Sequence, residues 1–204
     1  MIKPILFSTE MVRAIREGRK TVTRRDPFQT PPDYDVLKGH YRDSKGRLCA
    51  LFQCRKDPTT EAVYARYDRG DILWVREAWG MASDLLGGVP GLVYRADYTD
   101  DELRALREKH YRWRPSIHMP REAARIFLRV TGVRAERLRD MVLADVIMEG
   151  IKEAPTYEDT WDRWHQNWNS TIKPKDLGYC GWEANPWVWV INFERCEKPE
   201  GWLK

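Results

Sequence analysis

"FSTEMVRAIREGRKTVTRR", residues Phe7 to Arg25, carries a helix, its stop and the start of a strand in one stretch. Ser8 or Thr9 can cap the helix, Glu10 sits in its electropositive first turn, and Val12 with Ile15 marks an apolar stripe. Gly18 is placed to end the helix, because glycine enters the left-handed conformation without a Cβ penalty. The β-branched run Thr21-Val22-Thr23 that follows favours a strand.

Working outward, residues 26–68 read as an insertion: a proline-rich turn segment over Asp26–Val36, then a hairpin over Gly39–Cys54 with Asp43-Ser44-Lys45-Gly46 as its turn. A Gly-Asp turn leads into the apolar strand Ile72–Val75, which ends in Arg76 and Glu77, and Gly91–Tyr98 is a further short strand. A helix is expected from about Asp100 to His110, with Pro115 blocking any continuation. Over Ala123–Leu138 the residues alternate, with Ile126, Leu128 and Val130 on one face and Arg125, Phe127 and Arg129 on the other, and a kink near Gly132. A short helix closed by Gly150 follows. Trp161, Trp164, His165 and Trp168 then fall at helical spacing, a pattern that more often marks core than a cofactor site. Trp187–Cys196 is a strong final strand. Few βαβ crossovers are present, so the order argues for an α+β fold: a small, mostly antiparallel β-barrel with flanking helices.

With 204 residues, 42% hydrophobic and 32% charged, the chain suits one globular domain, read over 1–204. The net charge of +4, from 35 basic and 31 acidic residues, is too small to name a nucleic-acid partner unless cations cluster locally. No apolar run is long enough for a membrane span, and the opening residues turn polar too quickly for a signal peptide, so a cytoplasmic protein with no membrane partner is expected. Cys49, Cys54, Cys180 and Cys196 lack the close pairing of a zinc ribbon or finger; they are expected reduced, with no metal and no cofactor. The oligomeric state is not legible.

Several constellations could carry chemistry. Gly18–Arg25 holds four cations and two threonines. In an ideal strand Thr21, Thr23 and Arg25 share one face and Lys20, Val22 and Arg24 the other, so Lys20 meets Thr23 only from a turn before the strand. A desolvated lysine there could activate a threonine hydroxyl, whereas a basic edge strand guarded against aggregation is the plainer alternative. In the segment 109–125, Lys109, Arg112, Arg114 and Arg121 alternate with Tyr111, Trp113 and His118, a pattern that suits a nucleic-acid groove and equally a packed loop. Arg76 and Glu77 end a strand where a barrel mouth could bind a ligand. Glu149, before a helix-closing glycine, opposes the helix dipole and so breaks a local rule.

The blocks Ile5–Arg25, Arg69–Trp79, Trp113–Leu138, Asp145–Ile151 and Asn185–Glu194 resemble the ASCH-domain proteins, in particular the long variants of bacteriophage and prophage genomes. The resemblance implies a PUA-like β-barrel and binding of nucleic acid, RNA foremost with DNA left open, or of a modified nucleoside. Some compact members are amidohydrolases that deacetylate N4-acetylated cytidine, and others are reported ribonucleases. By motif position the amidohydrolase set falls on Lys20 as base, Thr23 as nucleophile and Glu149 as proton carrier. Arg25, Arg76, Glu77, Arg112, Trp113, Arg114, His118 and Arg121 are expected around the ligand. Against the compact enzymes, this chain carries insertions at about 26–68, 81–120 and 151–184. It also has Arg24 where they have an apolar residue, and a second cation favours phosphate contact.

Overall fold

The structure, a computed structural model, describes residues 1–28, 30, 33–86 and 90–202, with side chains for all of these except 26, 27, 85 and 86. In chain order the elements are β1 (Ile2–Leu6), α1 (Thr9–Arg16), β2 (Val22–Phe28), β3 (Tyr34–Arg42), β4 (Leu48–Cys54) and β5 (Thr60–Tyr64). Next come β6 (Ile72–Arg76), β7 (Trp79–Met81), α2 (Ala82–Leu86), β8 (Leu92–Tyr94), α3 (Asp100–Glu108) and β9 (Phe127–Arg137). The chain ends with α4 (Leu143–Met148), α5 (Tyr157–Ser170), α6 (Leu177–Cys180) and β10 (Trp187–Cys196). Of the turn segment expected over Asp26–Val36, residues 29, 31 and 32 lie outside the described residues.

The chain divides into two compact units: one of Met1–Arg19, Ile72–Arg129 and Glu194–Lys204, the other of Lys20–Asp71 and Val130–Phe193. Strands β9 and β10 each contribute residues to both.

In the first unit β1 pairs in parallel with β6, Ile2 opposite Ile72, and β6 pairs antiparallel with Phe127–Arg129. Helix α1 starts where the sequence places it, with the Ser8 hydroxyl accepting from the Met11 N–H, and Gly18 takes a φ of +76°. Helix α3 carries a full capping box: the Thr99 hydroxyl accepts from the Glu102 N–H at 3.3 Å, and the Glu102 carboxylate accepts from the Thr99 N–H at 2.7 Å. Strands β7 and β8 form a short antiparallel ladder. The core here is Trp79, Met119, Phe127 and Trp202. Phe127 corrects the expected alternation. It is 3% exposed and meets the Trp202 ring edge-on at 5.0 Å, because the C-terminal segment covers the face that the pattern assigns to solvent.

In the second unit β3, β4 and β5 form an antiparallel meander, and β9, β10 and β2 lie side by side, with β10 antiparallel to β2. The expected hairpin is present as β3–β4; β5 was not anticipated, nor was β1 in the first unit. One core gathers Trp164, Trp168 and Trp182 around Val22, Val188 and Val190, so the tryptophan stripe of α5 is core. Another packs Phe52, Trp187 and Trp189 between the meander and β10.

The sheets are mostly antiparallel and mixed with helices, as an α+β reading requires. Among the described residues no closed barrel is found, because the strands are divided among separate sheets. No helix among them is long and apolar enough to cross a membrane.

Candidate functional site

In the second unit, Lys20 lies just before β2, its neighbour fixed from two sides. The Thr21 N–H donates to Met148 O and the Thr21 carbonyl accepts from the Phe193 N–H, both at 2.9 Å. Glu149 is the C-cap of α4, and Gly150 follows at a φ of +90°, which carries the chain away. Lys20 and Glu149 are each 2% exposed. The Lys20 ammonium donates to Glu149 Oε2 at 2.6 Å, to the Glu149 carbonyl at 2.8 Å and to the Val22 carbonyl at 2.8 Å. One lysine thus neutralises the carboxylate and caps an orphan carbonyl at the electronegative end of α4. Burial pushes its pKa below the ordinary lysine range, and Glu149 opposes that shift.

Arg24 is the residue whose role the sequence misassigns. Its side chain is fully buried, neither a solvated edge cation nor a phosphate ligand on display. Its backbone N–H donates to Glu149 Oε1 at 2.7 Å, and its guanidinium reaches the same oxygen at 3.4 Å. The guanidinium also holds Glu136 Oε1 at 2.6 and 3.0 Å and lies 3.5 Å from Asp145 Oδ2. Glu136 in turn accepts from Arg134, whose Nη1 lies 3.5 Å from Asn192 Oδ1. The result is an alternating chain, Lys20–Glu149–Arg24–Glu136–Arg134, with Asp145 as a branch. Each charge is matched, which a buried charge needs if burial is not to cost several kcal/mol, about 3 or more.

This chain ends at a cavity of about 280 Å³ lined by Thr21, Thr131, Arg134, Asp145, Met148 and Asn192, with Val22 and Phe193 completing it. Hydroxyls, an amide, a guanidinium and a carboxylate converge there beside apolar walls. Such a mixture of donors and acceptors can read the edge of a small planar polar ligand.

Of the predicted catalytic set, the fold brings Lys20 and Glu149 together. Thr23 is 2% exposed, but its hydroxyl makes no hydrogen bond among the described residues, because strand alternation directs it away from the Lys20 and Arg24 side. Arg25 pairs in register with Trp189, and its charge acts on Lys20. Glu136, Arg134, Asp145 and Asn192 were missed. The signal for two of them was present: Arg134 and Glu136 continue the parity of the apolar face of β9.

The remaining predicted residues belong to the first unit, where Glu77 is buried and Arg112, Arg114, His118 and Arg121 are exposed. Glu77 is 1% exposed, and both its oxygens accept from Arg125, at 2.8 and 2.9 Å. Arg125 also holds Asp97; burial works to lower the Arg125 pKa, and these two carboxylates outweigh it and raise it. Arg76 donates to the Ile117 carbonyl and lies over Trp74, Arg114 lies over Trp79 and Arg121 over Trp202. Each of these three guanidiniums therefore rests against an indole face. His118 is exposed, with no ring partner among the described residues. Arg112 and Trp113 line clefts flanking α3.

No family model, curated protein or solved structure matches this chain.

Proposed function

We propose that this protein binds a nucleobase, as a modified nucleoside or within a nucleic-acid strand, RNA foremost, in the 280 Å³ cavity of the second unit. The observation that carries this reading is the alternating charge chain that ends at Arg134 and Asn192 on the cavity wall. A guanidinium held by Glu136 and a matched amide are preorganised, so less of the binding energy is lost in ordering them. Thr21 and Thr131 supply hydroxyls that donate or accept, and Met148 supplies an apolar surface for a ring. The resemblance of Gly18–Arg25 and its companion blocks to ASCH-domain proteins, with their PUA-like fold, supports the same ligand class. Titration calorimetry with cytidine, N4-acetylcytidine, uridine and adenosine tests it. At least one nucleoside binds, and Arg134→Ala or Asn192→Ala weakens that binding about tenfold, the worth of one charge-assisted hydrogen bond. No binding across the panel overturns the reading.

The Lys20–Glu149 contact favours a second reading, hydrolysis of N4-acetylcytidine to cytidine and acetate. Here Lys20, with all three protons donated, acts as a base only after passing one to Glu149 Oε2, 2.6 Å away. Release of cytidine by the wild type that stops in Lys20→Ala supports this reading; absence of turnover removes it.

A further inference from the structure

Helix α3 of the first unit ends in a way that builds a second cleft. His110 takes a left-handed φ of +59°, and the Tyr111 N–H reaches back to the Leu106 carbonyl at 2.9 Å, a Schellman-type closure with histidine at the usual glycine position. The reversed chain lays Tyr111 and Trp113 along the helix. Tyr98 and Tyr111 meet Trp113 edge-on at 5.3 and 5.0 Å. Tyr111 is seated over Gly80: a Cβ at residue 80 would fall 2.0 Å from its hydroxyl oxygen. Tyr111 and Trp113 form one wall of a cleft of about 350 Å³ whose other walls carry Arg95, Arg104 and Arg107.

The charge there is one-sided. Asp100 also lines the cleft, but Arg13 pairs with it at 2.9 Å, and Arg104 is shared with Asp101 at 3.1 Å. The Arg95 and Arg107 guanidiniums have no hydrogen-bond or ion-pair partner among the described residues. Two uncommitted guanidiniums facing an aromatic wall match a ligand that joins an anion to a flat ring.

We infer that this cleft binds single-stranded nucleic acid, phosphates on Arg95 and Arg107 and a base against Trp113 and Tyr111. The inference rests on the nucleic-acid reading above but uses a different unit and different residues. The contact is indifferent to sequence, because every base has a π-face and every linkage a phosphate.

Fluorescence anisotropy of the full chain with labelled ten-nucleotide oligo-U and oligo-dT, over a series of salt concentrations, tests it. Wild type binds, and affinity falls as salt rises. The Arg95→Ala/Arg107→Ala double variant lowers the log–log salt slope by about 1.4, two single-strand phosphate contacts at about 0.7 each. Trp113→Leu weakens binding on the order of 5- to 100-fold. Gly80→Ala, which forces Tyr111 off its seat, weakens it without touching a cation. Wild-type affinity and slope in all these variants overturn the inference, as does absence of oligonucleotide binding by the wild type at low salt. Nucleoside calorimetry on the same variants separates the two readings: nucleoside binding retained while the oligonucleotide result fails sinks the cleft alone. Oligonucleotide results as stated, with no nucleoside bound, support the cleft and sink the base pocket.

Discussion

Arg24 shows how far a single side chain can depart from its local reading. In "GRKTVTRR" it is one of four cations, and exposed cations usually contribute within about 0.5 kcal/mol. Buried among Glu149, Glu136 and Asp145, it instead holds three carboxylates. Arg24→Met therefore lowers unfolding free energy by about 3 kcal/mol in urea titration, since it strips charge from buried Glu149 and half-buried Glu136 and Asp145. A loss under 1 kcal/mol would return Arg24 to the surface. His110 makes an opposite prediction. A left-handed histidine costs about 1–2 kcal/mol, and glycine returns about 0.5–1 of that as unfolded-chain entropy. His110→Gly thus raises stability by up to about 1 kcal/mol, readable as a higher denaturation midpoint; a lower midpoint contradicts the assignment.

Among the elements, caps and alternation were legible because they depend on near neighbours. Ser8, Gly18, the start of α3 at Asp100 and the β3–β4 hairpin fall where local rules put them. Alternation also placed Lys20 and Arg24 on one side of β2 and Thr23 on the other, which is why the lysine finds the glutamate and misses the threonine. What local rules lack is the covering partner. Phe127 is buried by Trp202, distant in sequence, and Arg134 with Glu136 keeps the parity of Ile126, Leu128 and Val130 yet turns charged past Gly132, where Arg24 waits. The β3–β9 contact adds a pH prediction. His40 Nε2 accepts from the Ala135 N–H at 2.7 Å, which only the neutral ring can do, and burial with Arg134 nearby holds its pKa below 6.5. A folded pKa below the unfolded one means this stability is fully present above pH 6.5 and is lost as pH falls through the folded value. Between about pH 7.5 and about pH 5 the wild-type melting temperature falls more than that of His40→Phe. Equal falls would deny the histidine any part.

For the whole molecule, two compact units offer two kinds of polar surface: a base-sized cavity ended by a neutralised charge chain, and an aromatic cleft with uncommitted arginines. Composition could not separate them, because a net charge of +4 averages matched pairs with unmatched ones. The two predict different salt behaviour. Nucleoside binding in the cavity is nearly independent of salt, since no phosphate is neutralised there, while oligonucleotide binding in the cleft is steeply dependent. A steep salt dependence for a neutral nucleoside would contradict this division.

The most direct test of the central claim, a nucleobase in the second unit's cavity, is a nucleoside titration followed by NMR through the Arg134 Nε–H and Asn192 Nδ2–H signals. The account predicts that both shift saturably, with the affinity found by calorimetry, and that Arg24→Met blurs or abolishes the effect by loosening Glu136. A nucleoside that binds while leaving both signals unmoved would contradict it.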